Sequence, residues 1–338
     1  MASMDVFSGR AFHSHELTAA LNRAPYLPTF LGEQNIFEPK PVRTIQVSIE
    51  QKGGTLSLIQ TSERGAPLQQ ADRESRDIRD FRTVRIAKGD TLHAYEIEGI
   101  RAFGSESELQ QVQTEVAGRL INLNNDVELT HENMRLGAIQ GIVLDANGST
   151  LRNWYTEWGI AQPAEIDFEL DVATTDVRAK CNAVVRAMMR ASGGAWITGR
   201  TQVHALAGDN FFDNLTGHDN VRDTWLNQQA AAELRQGNAY TSFNFGSITF
   251  HNYRGTDDGS TVAVGSDVVK FYPVNAPGVF QVAQSPGETF DYVNTPGQRV
   301  YAMLVPDRER NAWVKPEVYS YPLYICTRPG MLQRGKRA

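Results

Sequence analysis

The sequence contains little cysteine and no long apolar run. Only two cysteines occur among 338 residues, and Cys181 and Cys326 both fall inside apolar patterns. Such residues are expected to serve as small core side chains rather than as a disulfide. No apolar stretch approaches the roughly 18 residues that a membrane span needs, and the first residues lack a basic stretch followed by an apolar one. These absences predict a protein that is made in the cytosol and has no membrane anchor.

A recognisable catalytic motif is also missing. No G-x-S-x-G elbow occurs, and neither cysteine has a persuasive histidine partner nearby in the sequence. His13 and His15 have the spacing of two metal ligands on a strand, but no third ligand accompanies them. His131 lacks a second histidine four residues on, which excludes the zinc-protease helix. The sequence therefore predicts no catalytic residue, no cofactor and no metal.

Basic residues are fewer than acidic ones. The chain has 33 Lys and Arg against 39 Asp and Glu, a formal net charge of −6. A body of this charge is not expected to bind nucleic acid tightly. Basic residues gather only at the C-terminal end, which is predicted to be a frayed, solvated tail. The residues of this tail are Arg328, Arg334, Lys336 and Arg337.

The longest predicted element is a helix over residues 105–144. Ser105 and Glu108 have the spacing of a capping box, and the apolar residues that follow recur every three or four positions. The turn sequence Asp145–Gly148 is expected to end the helix. Three asparagines near the middle leave open a bend or a division into two helices. A single helix of this length would span roughly 55 to 60 Å.

Two segments before the long helix cannot form compact units alone. The first 43 residues combine a short predicted helix, Glu16–Asn22, with four prolines. Alternating apolar residues then predict a hairpin over 45–58 with Gly53-Gly54 at its turn. A two-stranded ribbon is barely stable by itself, so both segments are expected to rest on a partner. The charge-rich residues 63–85 fit either docking on a neighbouring copy or a solvated loop tip.

Helix and strand patterns mix irregularly after the long helix. Trp154, Tyr155 and Trp158 are expected to form a packing cluster. A helix is predicted after Asp176, a buried strand at 195–198 and a further helix at 219–235. Short strands are predicted from residue 242 onward, at 243–250, 268–274, 300–305, 312–314 and 318–326. Without a regular β-α alternation, these patterns predict an α+β fold.

The order of the predicted parts resembles the major capsid proteins of tailed bacteriophages. An arm, a ribbon with a charged tip, a long helix, a compact α+β region and returning strands follow one another along the chain. The likeness is strongest to the lambda-type family known as capsid protein E, whose closing strand and turn look like Ser320–Leu323, the apolar residues 324–326 and Pro329. The likeness covers most of the chain.

The resemblance implies the Johnson fold of tailed-phage shells. Residues 1–43 would form the N-arm, and residues 44–98 the E-loop. Residues 99–172 would form the peripheral domain with its spine helix, and residues 173–288 the axial domain. Residues 289–338 would return to the peripheral domain as strands and a C-terminal tail.

The resemblance also implies a structural role in the virion. Many copies would form pentamers and hexamers that close into an icosahedral head shell around the double-stranded DNA genome. Arm and ribbon would bury their apolar faces on adjacent subunits. A separate scaffolding protein, a portal and an optional decoration protein would be further partners, and DNA would be contacted non-specifically at most.

The candidate functional residues are therefore contacts between subunits, on the ribbon and its charged tip. They are Ile45, Val47, Ile49, Leu56, Leu58, Arg73, Arg76, Asp77, Arg79 and Asp80. Two alternatives remain open. An encapsulin-like compartment would share the fold and hold cargo enzymes, whereas a soluble enzyme would form a small discrete oligomer around an active site without a sequence motif.

Overall fold

The computed structural model describes residues 12–23, 29–52, 76–98, 108–227, 242–253, 255 and 262–338. Within these residues helices and sheets mix without regular alternation, and the predicted α+β class is confirmed.

The helices follow the chain in this order: α1 (Ser14–Arg23), α2 (Phe30–Glu33), α3 (Ala94–Glu98), α4 (Glu108–Gln140), α5 (Trp154–Trp158), α6 (Val177–Arg190), α7 (Asp209–Gly217) and α8 (Asp219–Asn227).

The strands are β1 (Glu38–Pro41), β2 (Gln46–Lys52), β3 (Arg76–Arg82), β4 (Ile86–Gly89), β5 (Leu92–His93), β6 (Ile142–Leu144), β7 (Thr150–Asn153), β8 (Glu165–Asp167), β9 (Gln202–Ala207), β10 (Ser242–Phe245), β11 (Ile248–Asn252), β12 (Val268–Val274), β13 (Phe280–Gln284), β14 (Tyr301–Pro306), β15 (Trp313–Ser320), β16 (Pro322–Cys326) and β17 (Gln333–Lys336).

The largest sheet has six strands in the order β10-β11-β9-β12-β17-β8. Helix α6 covers one face of it, because its apolar residues recur every three or four positions and are buried. Asp176 caps this helix by accepting a hydrogen bond from the Ala179 amide at 2.9 Å. Phe211 and Leu215 of α7 join the same core. This helix-covered sheet is one of the two large packing units of the protein.

Helix α4 organises the second large unit. It runs for 33 residues, about 50 Å at 1.5 Å per residue. Val116 and Leu120, in its first half, pack in a core with α1 and the β14-β15 hairpin. Met134 and Ile139, in its second half, enter a central core that includes β13 and β16. One long helix therefore bridges two apolar cores.

The prediction of a single long helix is confirmed for residues 108–140. Its predicted start at Ser105 lies outside the described residues. Its predicted end is wrong, because the helix stops at Gln140, where Gly141 adopts a φ of +82°. Ile142–Leu144 is β6, and the segment Asp145–Gly148 is the turn that leads to β7.

Two other predictions for the middle of the chain need correction. Residues 195–198 do not form a strand, because residues 195–197 are an irregular link between turns at 191–194 and 198–200, and β9 begins only at Gln202. The single strand predicted at 243–250 is the hairpin of β10 and β11. Helix α8 is described to Asn227, and the rest of the helix predicted at 219–235 lies outside the described residues.

The predicted frayed tail is also wrong. Residues 333–336 form β17, which pairs with β12 on one side and with β8 on the other. Lys336 pairs with Asp167 at 2.8 Å, and Arg334 donates a hydrogen bond to the Pro163 carbonyl. Gly335 lies so close to Phe168 that a Cβ would come within 2.9 Å of its ring. Arg334 and Lys336 therefore belong to an inner strand of the six-stranded sheet.

The described part of the first 43 residues packs on its own chain. The short helix predicted at 16–22 is confirmed as α1, and its Leu17 and Leu21 are buried against α4 and β14. Thr18 Oγ1 accepts a hydrogen bond from the Ala302 amide at 2.9 Å. Strand β1 pairs in parallel with β13. The apolar residues Leu17, Leu21 and Leu31 are therefore covered by their own chain, whereas the predicted contact of the arm with adjacent subunits stays a prediction.

We predict that Gly141→Ala destabilises the protein by about 2–4 kcal/mol. A residue with a side chain is strained at a φ of +82°, and its Cβ would lie 2.4 Å from the Tyr155 ring. Gly148→Ala is the matched control, because its φ is +80° and nothing lies within 4 Å of its Cβ. Urea unfolding of the full chain measures both. Equal losses would show that the Tyr155 contact contributes nothing.

Candidate assembly surfaces and the polar cluster under the long helix

The predicted hairpin exists as a ribbon, but its second strand differs from the prediction. Strand β2 pairs antiparallel with β3, so that Val47 lies opposite Phe81. The predicted pairing with the segment around Leu56 and Leu58 is therefore wrong for β2. Leu56 and Leu58 themselves, the Gly53-Gly54 turn and Arg73 lie outside the described residues.

The charged residues predicted at the ribbon tip lie in a strand. Arg76, Asp77, Arg79 and Asp80 all belong to β3. Asp80 accepts a hydrogen bond from Ser48 Oγ at 2.5 Å, across the ribbon. The Arg79 guanidinium lies 5.8 Å from the centre of the Trp158 ring in the same chain. Contacts of these four residues with a second copy stay a prediction.

The base of the ribbon is anchored on an aromatic cluster. Phe81 is buried, and its ring lies 5.3 Å from that of Trp154 and 5.9 Å from that of Trp158. Trp158 Nε1 donates a hydrogen bond to the Cys326 carbonyl at 2.9 Å. The predicted packing role of the tryptophans is thereby confirmed. The ribbon leaves the body of the protein from a rigid support.

The apolar face of the ribbon is covered unevenly. Val47 and Ile49 are half-buried against the central core. Ile45 is 66% exposed at the start of the ribbon. Among the three predicted apolar contacts that the structure describes, Ile45 is therefore the one that offers most surface to a second copy.

Three charged side chains lie buried along the inner face of α4, although α4 was singled out from the sequence for its apolar residues. Glu132 Oε1 accepts a hydrogen bond from the Leu31 amide at 2.8 Å, and Oε2 accepts one from the Gly32 amide at 3.2 Å. The Tyr253 hydroxyl donates to Oε1 at 3.2 Å. Arg135 lies 3.4 Å from Glu132. One carboxylate thus joins α2, α4 and the end of β11.

Glu128 extends this cluster towards β14. It is fully buried and forms ion pairs with Arg135, at 3.5 Å, and with Arg299. Charges removed from water need close partners of opposite sign, and the two arginines supply them. The sequence carries a signal for the cluster, since Glu128, Glu132 and Arg135 follow the same three- and four-residue spacing as the apolar stripe.

His131 is a neutral member of the same helix face. Ser320 Oγ donates to the Arg299 carbonyl at 2.6 Å and lies 3.0 Å from His131 Nε2. That geometry places the imidazole proton on Nε2, and Nδ1 then accepts from the Tyr324 hydroxyl at 2.9 Å. Burial, with the positive charge of Arg135, lowers the pKa of His131 to about 3.

A second histidine site lies between α2 and the six-stranded sheet. His251 Nε2 is 3.1 Å from His204 Nδ1, and the Phe30 ring packs edge-on against His251 at 5.0 Å. Burial lowers the pKa of His204. Burial and the neighbouring His204 lower the pKa of His251 to about 4. Both rings are therefore neutral near pH 7.

Other chemistry is sparse among the residues that the structure describes. No three His, Cys, Asp or Glu side chains in this part of the chain gather to hold a metal ion. None of the described helices combines the length and apolar character needed to cross a membrane. Cys181 and Cys326 are buried and unpaired, as predicted, and burial raises the pKa of both thiols to about 12.

Comparison with known proteins identifies the fold and then the family. A crystal structure of a protein described as a prophage capsid protein of E. coli CFT073 superposes with a TM-score of 0.58, at 12% identity, over 96% of this chain and 99% of that one. At this identity the likeness shows the fold alone. The fold is that of the tailed-phage capsid proteins, as predicted.

Sequence comparison supplies the family. The major capsid protein of Salmonella phage Felix O1 is 24% identical over 353 aligned residues, covering 95% of each protein. That of Pseudomonas phage KPP10 is 25% identical, over 88% of this chain and 89% of the relative. The family model for phage major capsid protein E matches residues 13–337.

The chain therefore belongs to the phage major capsid protein E family. This confirms the resemblance inferred from the order of its parts, and it favours a phage shell over an encapsulin-like compartment. The family has a structural role in the virion, which also favours a shell protein over a soluble enzyme.

We predict that Glu132→Gln destabilises the chain by about 2–3 kcal/mol. The substitution removes the charge opposite Arg135 and weakens the hydrogen bonds to the Leu31 and Gly32 amides. Asp126→Asn is the control on the same helix, since its ion pair with Lys88 is exposed and contributes at most about 1 kcal/mol. Urea unfolding compares them, and similar losses would contradict a special role for Glu132.

We predict that acid weakens the fold. A pKa that is lower in the folded than in the unfolded chain means that the unfolded chain binds protons more tightly. The stability that His131 and His251 contribute is therefore full above about pH 6.5 and is lost as the pH falls towards 3–4. The free energy of unfolding should fall by roughly a few kcal/mol as the pH is lowered from 8 to 4.

The double variant His204→Gln with His251→Gln should flatten this decline, because the unfolded chain then lacks two histidines that take up protons more readily than the folded chain does. His13→Gln is the control, since His13 is exposed. A double variant with the same pH dependence as the control would show that the pair does not contribute.

Proposed function

We propose that this chain assembles into pentamers and hexamers, and that these close into an icosahedral head shell around the double-stranded DNA genome of a phage. The match of the capsid family model to residues 13–337 is the observation that carries the proposal. Synthesis takes place in the host cytoplasm, and the assembled protein resides in the virion.

We assign each segment of the chain to one part of the capsid fold. Residues 1–43 act as the N-arm and residues 44–98 as the E-loop. Residues 99–172, with α4 as the spine, form the peripheral domain, to which residues 289–338 return. Residues 173–288 form the axial domain. Strands β8 and β17, from the two flanking segments, lie in the same sheet as β9 and β12 of the proposed axial domain. This shared sheet supports a direct packing of the axial domain on both flanking segments.

Other molecules complete the proposed assembly. A separate scaffolding protein directs closure, a portal occupies one vertex, and an optional decoration protein binds outside. Packaged DNA is contacted non-specifically at most, because the net charge of −6 disfavours tight binding to phosphates.

Contacts between subunits use the ribbon. The candidate residues remain Ile45, Val47, Ile49, Leu56, Leu58, Arg73, Arg76, Asp77, Arg79 and Asp80. Ile45 is the sharpest target among them, because it is 66% exposed and its replacement disturbs little of the fold. Burying one such side chain contributes about 1.5–3 kcal/mol, which corresponds to roughly a tenfold to hundredfold change in association.

The prediction is that Ile45→Asp lowers the yield of rings and shells at least about tenfold, while circular dichroism and urea unfolding stay near wild type. Sedimentation and negative-stain microscopy of the full chain, expressed with and without the other head proteins of its phage, measure assembly. Val172→Asp is the control, because Val172 is also exposed but lies away from the ribbon, in the turn before α6.

Two outcomes would count against these statements in different ways. A wild-type chain that yields only monomers or dimers in every condition would overturn the shell function. Normal shells from Ile45→Asp would instead reject the ribbon contact and leave the function standing.

A further inference from the structure

The most exposed large apolar side chain among the described residues is outside the ribbon. Phe290 is 98% exposed and Val293 is 57% exposed, on the short turn between β13 and β14. We call these two residues the knob. Exposed aromatic residues of this kind are candidates for contact with another molecule.

The knob is held rigidly in its outward position. Tyr292, between the two residues, is buried with its ring 4.7 Å from that of Tyr301. Its hydroxyl lies 3.0 Å from Thr18 Oγ1. Asp291 accepts a hydrogen bond from Ser14 Oγ at 2.7 Å. The neighbours of Phe290 are thus fixed to α1 and β14, and Phe290 does not fold back onto its own chain.

An open groove lies directly beside the knob. Its volume is about 680 Å³, within the range that admits small ligands or clustered side chains. Met303, Val305 and Trp313 give it an apolar wall, and Asp291 forms part of its edge. Asp291 also belongs to the turn that carries the knob, so the groove lies next to the knob, although Phe290 and Val293 do not line it.

The rim of the groove carries charges of both signs, with Asp291, Asp307 and Glu309 acidic and Arg308 basic. Arg308 and Glu309 are adjacent and exposed. Their turn is fixed by Asp307, whose carboxylate accepts hydrogen bonds from the Glu309, Arg310 and Ala312 amides at 3.1, 3.1 and 3.3 Å. A rim with both signs close together can meet a second copy of itself with opposite charges facing each other.

We infer that this face is a contact between two copies of the chain, in which the knob of each copy enters the groove of the other. A projection beside a recess is self-complementary under a two-fold rotation, so the contact forms twice in each pair. The inference rests on the proposed shell function and adds a second contact, separate from the ribbon. It joins copies through α1, β14 and the turn before β14.

Site-directed cross-linking tests the pairing directly. Phe290→Cys and Val305→Cys are prepared as two separate single variants, mixed at assembly concentration and treated with a short bismaleimide linker. Both native cysteines are buried and should stay unreactive. A covalent dimer should form in this mixture in at least tenfold excess over a mixture of Phe290→Cys with Met189→Cys, whose cysteine replaces an exposed residue on α6.

Assembly of Phe290→Ser supplies a second readout. Its folding should equal that of the wild type, since Phe290 is 98% exposed, and the concentration needed for assembly should rise about tenfold. Met189→Ser should assemble as the wild type does. Suppose that the wild type forms shells. The inference is then overturned, and the shell function stands, if cross-linking stays at the control level or if Phe290→Ser assembles as the wild type does. A wild type that never assembles would overturn the function itself.

Discussion

Two buried carboxylates on α4 determine how the parts around the long helix are placed. Glu132 accepts hydrogen bonds from the backbone of α2 and from Tyr253, while Glu128 lies between Arg135 and Arg299. Charges removed from water tolerate few arrangements, because any displacement leaves one of them without a partner. The cluster therefore specifies one register among the N-terminal segment, the helix and the strand that follows Arg299.

This constraint changes how the outlying segments are understood. A proline-rich arm and a ribbon look unstable alone when judged from the sequence. In the structure, Leu31 is buried beside the carboxylate cluster, and Phe81 fixes the ribbon to Trp154 and Trp158. The described parts of both segments are therefore ordered by the chain's own side chains. On the described part of the ribbon Ile45 remains 66% exposed, and outside both segments Phe290 is 98% exposed.

Local patterns in the sequence predict some elements well. Helix α6 was predictable, because its apolar spacing and its cap at Asp176 agree with each other. Strand β12 and helix α1 were predictable for similar reasons, since pattern and boundaries coincide. The fold class and the family likeness followed from the order of such elements.

Elements defined by distant contacts were not predictable in this way. Strand β17 has the sequence Gln-Arg-Gly-Lys, and its place in the sheet depends on Phe168 and on the neighbouring strands. The partner of β2 is separated from it by 23 residues, whereas a nearby Gly-Gly pair suggested a tight hairpin. The burial of Glu128 depends on Arg299, far along the chain. Side-chain spacing shows a face of a helix, but it does not show what covers that face.

Order within the isolated chain has a consequence for assembly. When a flexible segment must become ordered on binding, that loss of entropy opposes association. Here the base of the ribbon and the turn that carries Phe290 are already fixed, so the proposed burial of Ile45 or Phe290 against a second copy would carry little cost of ordering. In a closed shell each copy makes several such contacts at once, and contacts that are individually weak then suffice. A modest loss at one repeated contact is multiplied around the shell, so assembly is expected to respond to these positions far more steeply than the stability of the single chain does.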